Sequence, residues 1–259
     1  MKLILLLLFF CGLCKAGTVE LVYEDSFELI QCIPETVYEE HFTGVNQNNW
    51  PLNWQESGTS IELAEVINNQ ARLVPLSSQS PYSLGRIDHP LNEVNQEVTF
   101  TFEFEDGSNQ GIGFYVRGNG GFLVNTIPMG QGYAVFLERF SGDESRLGLW
   151  YEEAGIEIPF IRQPEISPGD FYDFLDNTPY NVKFQVFQES LTNTRLRAKV
   201  WLNGTTEPSN WGVTHSDDNA ILQNIAGSIA VDSFNTQSSG TIATGIKIDD
   251  IVISRLCID

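Results

Sequence analysis

Arg195, Arg197, Lys199 and Trp201 stand two residues apart, so an extended chain sets all four on one side of a strand. Lys183, Gln185 and Phe187 repeat that spacing a few residues earlier. If residues 188–193 form a hairpin loop, the two rows lie side by side. The chemistry such a surface could do is sugar binding: a pyranose packs its apolar face on an indole while neighbouring side chains bond its hydroxyls. Trp201, Lys199, Arg197, Arg195, Lys183 and Gln185 are therefore the candidate ligand-binding residues. A second reading is electrostatic. In a chain this acidic, the same cations serve as partners for acids across the sheet. Trp201 would then sit under a loop, such as the one that holds Trp211.

Catalytic chemistry finds less support. Glycoside hydrolysis needs two carboxylates a defined distance apart. Glu103 and Glu105 share a face, and the alternation around them reads as the wet side of an amphipathic strand. The chain contains no nucleophile elbow, no H-E-x-x-H, no P-loop and no dinucleotide fingerprint. His41, His89 and His215 are isolated in sequence. His215 lies near Asp217-Asp218, which read as solvated loop acids. A polysaccharide lyase would need a Tyr or His base beside Arg and Gln or Asn, and no spacing here identifies such a set. No catalytic residue is assigned. Asn203-Gly204-Thr205 has the form of a glycosylation acceptor, but an Asn-Gly turn already accounts for it.

The amino terminus sets the expected compartment. Lys2 precedes an apolar run over residues 3–10, and Cys14-Lys15-Ala16 offers small residues where a signal peptidase reads. Cleavage near Ala16 gives a secreted or periplasmic protein, and the run is too short to span a bilayer comfortably. Leu13 stands where a lipoprotein signal wants a small residue. Losing Lys2 and Lys15 leaves 12 basic residues against 34 acidic ones, a net charge of −22. Such a field repels nucleic acid and anionic lipid, and it favours solubility, divalent cations or neutral ligands. Cys11 and Cys14 would leave with the signal, so Cys32 and Cys257 remain as one expected disulfide.

What must position the candidate row is a set of short strands. Residues 97–105 alternate most clearly: Val98, Phe100, Phe102 and Phe104 on one face, Glu97, Thr99, Thr101, Glu103 and Glu105 on the other. Leu196, Ala198, Val200 and Leu202 are expected to point into the core opposite Trp201. Strands are also expected at 37–42, 61–67, 71–76, 111–117, 132–140, 145–151, 158–162, 180–188, 194–203, 227–234 and 245–255, with a hairpin turn at Asn68-Asn69. No segment holds a helical period. The pattern predicts an all-β, two-sheet antiparallel jelly-roll sandwich at 36–259, after a signal peptide (1–16) and an extended arm (17–35).

Four stretches in order resemble one family. They are Glu40-His41-Phe42-Thr43-Gly44-Val45 with Trp50-Pro51-Leu52-Asn53-Trp54; Gly113 to Arg117 with Gly132 to Leu137; Leu196 to Trp211; and Ile248 to Ile253. Together they are similar to concanavalin A-like (laminin-G-like) jelly-roll domains of secreted bacterial proteins, with Trp50-Pro51 replacing the usual Leu-Pro. In many of these a calcium ion joins the first and last strands, away from the ligand groove. The resemblance would place Glu40, or Glu39, near Asp249 or Asp250, with carbonyls near Gly44 and Asn68 to complete a structural calcium sphere. The competing reading is a solvated strand start with a surface acid. The function it implies is a non-catalytic binding or adhesion protein for a carbohydrate surface. The alternatives are a glycan-active hydrolase or lyase, and a structural surface protein with no small ligand.

Overall fold

The computed structural model describes residues 34–44, 46–47, 49–56, 61–76, 83–106, 110–119, 123–124, 127–128, 130–140, 144–154, 156–163, 174–235 and 244–257. The expected signal peptide, and Cys32 in the lead-in arm, lie outside these residues. The strands are β1 (Glu35–Glu40), β2 (Gln55–Glu56), β3 (Ile61–Ile67), β4 (Gln70–Pro75), β5 (Ser83–Glu93), β6 (Gln96–Phe104), β7 (Gln110–Asn119), β8 (Leu123–Val124) and β9 (Ile127–Pro128). They continue as β10 (Gln131–Phe140), β11 (Glu144–Glu153), β12 (Ile156–Gln163), β13 (Tyr180–Ser190), β14 (Asn193–Leu202), β15 (Val213–Asp217), β16 (Gly227–Asn235) and β17 (Ile246–Arg255).

Two antiparallel sheets face each other, and no helix occurs among the described residues. The first runs β15-β14-β13-β6-β17-β4-β3, with β1 also paired to β17. The second runs β12-β11-β10-β7-β16-β5-β2. The alternation of β6 explains the layering. Val98, Phe100, Phe102 and Phe104 are buried, and Phe100 stacks on Phe114 of the opposite sheet at 4.9 Å between ring centres. Each such ring removed from water contributes roughly 2–3 kcal/mol. The β3–β4 hairpin turns at Asn68 and Asn69, both at positive φ (53° and 60°), which Asn tolerates in tight hairpins.

The longest strands with no counterpart in the sequence pattern are β5 and β15, and the two-residue β2, β8 and β9 have none either. β5 carries Arg86, Asp88, His89 and Pro90, residues typical of a loop, yet it pairs with β16 along most of its length. Its charge is neutralised across the sheet: Arg86 donates to both oxygens of Asp232, at 2.6 and 2.8 Å, and to Glu152 Oε2 at 2.9 Å. All three side chains are buried.

Candidate functional site

β13 and β14 pair as expected. Lys183 lies opposite Lys199, Gln185 opposite Arg197, Phe187 opposite Arg195 and Asn181 opposite Trp201. On the other side of β13, Asn181 faces Thr101, Lys183 faces Thr99 and Gln185 faces Glu97 of β6. Leu196, Ala198 and Val200 are fully buried, while Trp201 points to the outer face and is half-buried. Leu202 departs from the expectation. It is 44 % exposed, because the strand ends there in the Asn203-Gly204 turn and the core stops with it. Gly204 adopts φ 79°, and Thr205 closes the turn with N–H and hydroxyl bonds to the Leu202 carbonyl.

The loop that follows folds back over the row. Trp211 lies 4.5 Å from the Arg197 guanidinium and 4.8 Å from the Lys199 ammonium. Lys199 Nζ donates to the Pro208 carbonyl at 2.6 Å, and one Glu207 oxygen lies 2.8 Å from both Lys199 and Lys183. Burial alone would raise the Glu207 carboxyl, but the two ammoniums outweigh it and hold the group below the usual carboxylate range. Lys183 also lies 3.8 Å from Glu97, Arg195 donates to Glu189 at 2.9 Å, and Arg197 donates to Gln185 Oε1 at 2.6 Å. Gln185 in turn donates to Glu97. Arg195, Lys183 and Lys199 thus have carboxylate partners, as the electrostatic reading expects, and Arg197 is held by Gln185. The loop covers Arg197 and Lys199 rather than sealing Trp201.

What stays open lies beside that row. A depression of about 450 Å³ is lined by Trp201, Asn181, Lys183, Thr99, Thr101, Val252, His41, Asp250 and Glu207, with Phe100 and Val182 at its base. Trp201 supplies a flat apolar surface, and Asn181 and the two threonines supply hydrogen-bonding groups on adjacent strands. Thr101 donates to Asn181 Oδ1 at 3.1 Å, which fixes the amide's orientation. Sequence reasoning missed the β6 and β17 side of this depression.

Glu40, Asp249 and Asp250 meet at the β1–β17 pairing, where Glu40 lies opposite Ile251. β17 bulges there, and Asp250 sits at φ 49°. Their oxygens are engaged locally. His41 Nδ1 bonds Asp250 at 2.8 Å, Glu40 accepts the Phe42 N–H at 2.9 Å, and Asp249 accepts the Asp250 N–H at 2.8 Å. Among the described residues no group of three or more His, Cys, Asp or Glu is placed to hold a metal ion. Burial and the neighbouring acids push the Asp249 carboxyl up to about 6.

The histidines are not isolated in space. The bond to Asp250 raises His41, whereas burial lowers both His89, packed between Tyr38 and Trp54, and His215, stacked on Phe160 at 4.3 Å. Asp217 is buried rather than solvated: it accepts the Tyr133 hydroxyl at 2.6 Å. NMR titration of the three imidazoles should give one midpoint above 6.5 and two below it. Since His89 and His215 are depressed on folding, their share of stability falls as pH drops below 6.5; the His41 share is lost as pH rises through its elevated value. Three coincident midpoints would contradict these environments.

The acids suspected of glycan hydrolysis are structural. Glu103 pairs with Lys247 at 3.1 Å, and Glu105 accepts two bonds from Arg72, at 2.5 and 2.8 Å.

The architecture is that of a two-sheet antiparallel jelly-roll sandwich. No family model matches the chain, and no curated protein matches its sequence. Among solved structures it is similar to a mutant of the alginate lyase Aly36B in complex with alginate tetrasaccharide (TM-score 0.56, 13 % identity, 88 % of this chain and 100 % of that one). It is also similar to the CBM2 module of the evolved Dit of Lactobacillus casei BL23 phage J-1 (0.54, 11 %, 87 % and 97 %). A third is lectin UEA-II complexed with galactose (0.52, 14 %, 86 % and 100 %); a lectin II structure from Ulex europaeus matches at 0.52 and 13 % with the same coverage. These likenesses establish the fold.

Proposed function

We propose that the protein is a secreted, non-catalytic carbohydrate-binding sandwich that holds a sugar in the depression beside Trp201. The observation that carries this reading is the half-buried, outward indole with Asn181, Thr99 and Thr101 on the adjacent strands around an open hollow. That lectins and a carbohydrate-binding module share the fold supports it. Affinity electrophoresis against a panel of soluble polysaccharides, with reducing-end and unsaturated-product assays on the same polymers, tests it. Retention by at least one polymer without product is the expected result. Product formation would favour the glycan-active alternative, and no retention anywhere would remove the reading. One observation gives the enzyme alternative a location: Tyr115 donates to Glu157 at 2.5 Å beside Arg86, and burial pushes the Glu157 carboxyl up to about 7.

No described helix is long and apolar enough to cross a membrane. Cys257 is disulfide-bonded, and we propose Cys32, which lies outside the described residues, as its partner. Calcium at Glu40, Asp249 and Asp250 is carried as a proposal from the family resemblance. There an ion would have to displace the local bonds just described. Added calcium should then raise the thermal midpoint and a chelator should lower it; equal midpoints remove the ion from the account.

A further inference from the structure

Glu207 stands at the end of the depression, on a loop rather than on the sheet, and its bonds go to the two lysines of the sugar-facing rows. One oxygen accepts from Lys183 and from Lys199, each at 2.8 Å. Lys199 is 8 % exposed and also donates to the Pro208 carbonyl. At the opposite end His41 is held by Asp250 at 2.8 Å. Both basic side chains that line the hollow, Lys183 and His41, therefore already face an acid. An anionic ligand group could reach an ammonium only by displacing Glu207, and it would approach a chain with 34 acidic residues. A neutral pyranose meets no such barrier, since it needs only the indole, the Asn181 amide and the threonine hydroxyls.

We propose that Glu207 is the specificity-determining residue of this site: it occupies both lysines and so restricts the depression to uncharged sugars, rejecting uronates. This rests on the proposed sugar site and names its ligand class. Releasing the lysines should turn rejection into binding. A Lys–carboxylate bond is charge-assisted, so two ammoniums released from Glu207, with Glu97 at 3.8 Å left beside Lys183, should strengthen retention by a polyuronate about ten-fold or more.

The test is affinity electrophoresis of the full chain in gels containing a neutral glucan or alginate. Wild type should be retarded by the neutral polymer and pass alginate freely. Glu207→Gln should raise the ratio of alginate retention to neutral-glucan retention about ten-fold or more. Glu189→Gln removes the same charge but frees Arg195, away from the depression, and should gain nothing. The double variant Lys183→Met/Glu207→Gln should lose the gain. Circular dichroism confirms that each variant is folded; if Glu207→Gln alone fails to fold, Glu207→Ala replaces it with the same expectation. Wild-type retention by alginate, equal gains in Glu189→Gln and Glu207→Gln, or a folded Glu207 variant without any gain would each overturn the proposal. Absence of wild-type retention by every polysaccharide of the wider panel would instead overturn the sugar site itself.

Discussion

Replacing Arg86 with Met should destabilise the domain by about 3–5 kcal/mol, the usual cost of removing one partner from a buried ion pair. Arg86 joins β5 to β16 through two bonds to Asp232 and reaches Glu152 on β11. Without it, Asp232 and Glu152 are buried carboxylates with no cation, although Glu152 keeps the Gly130 N–H at 2.9 Å. In a domain of this size the melting temperature should fall by about 10 °C. The loss should depend on pH in a definite direction. Burial already raises Asp232 in spite of the arginine, and Glu157 next to it is pushed to about 7. Groups raised on folding stabilise at low pH, and that contribution is lost as pH rises through their folded values. The variant should therefore regain stability between pH 7 and pH 5. Arg86→Met/Asp232→Leu, which removes the arginine and its nearest carboxylate but leaves Glu152, should recover part of the loss. Denaturant melts at both pH values check this. An Arg86→Met variant within about 1 kcal/mol of wild type would show that the network contributes little net stability.

That network also marks where the sequence stops being readable. The all-β class, the two sheets and the β13–β14 register follow from period-two alternation, a local property that burial on one face enforces. β6 is the clearest case, since all four of its apolar positions are buried. β5 has no such signature: its charge is cancelled by Asp232, 146 residues away, and no local pattern carries that information. The same holds for the candidate site. The row Lys183, Gln185, Arg195, Arg197, Lys199 and Trp201 shares a face because spacing alone decides it. That His41 and Asp250 would close the hollow could not be read, because the contact spans 209 residues and depends on a bulge at Asp250. Nor could spacing decide between ion pairing and sugar binding. The loop over residues 203–211 supplies Glu207 and Trp211 from above the sheet, and it leaves Trp201 as the aromatic beside the opening.

Trp201 and Val200 are adjacent, and their substitutions should fail in opposite ways. Trp201→Ala should lose sugar retention by about thirty-fold or more while the domain stays folded, because aromatic anchors at the centre of a binding surface contribute about 2 kcal/mol or more. Its ring lies on the outer face, and the strand register depends on Leu196, Ala198 and Val200 beneath it. Val200→Asp should abolish the fold. Val200 is fully buried opposite Val182, where a carboxylate would find neither water nor a cation. Affinity electrophoresis beside circular dichroism separates the two results. Unchanged retention in Trp201→Ala would take this strand out of the binding site. Unfolding of Trp201→Ala would make the indole a packing residue, and the depression would lose the one surface in it suited to a sugar's apolar face.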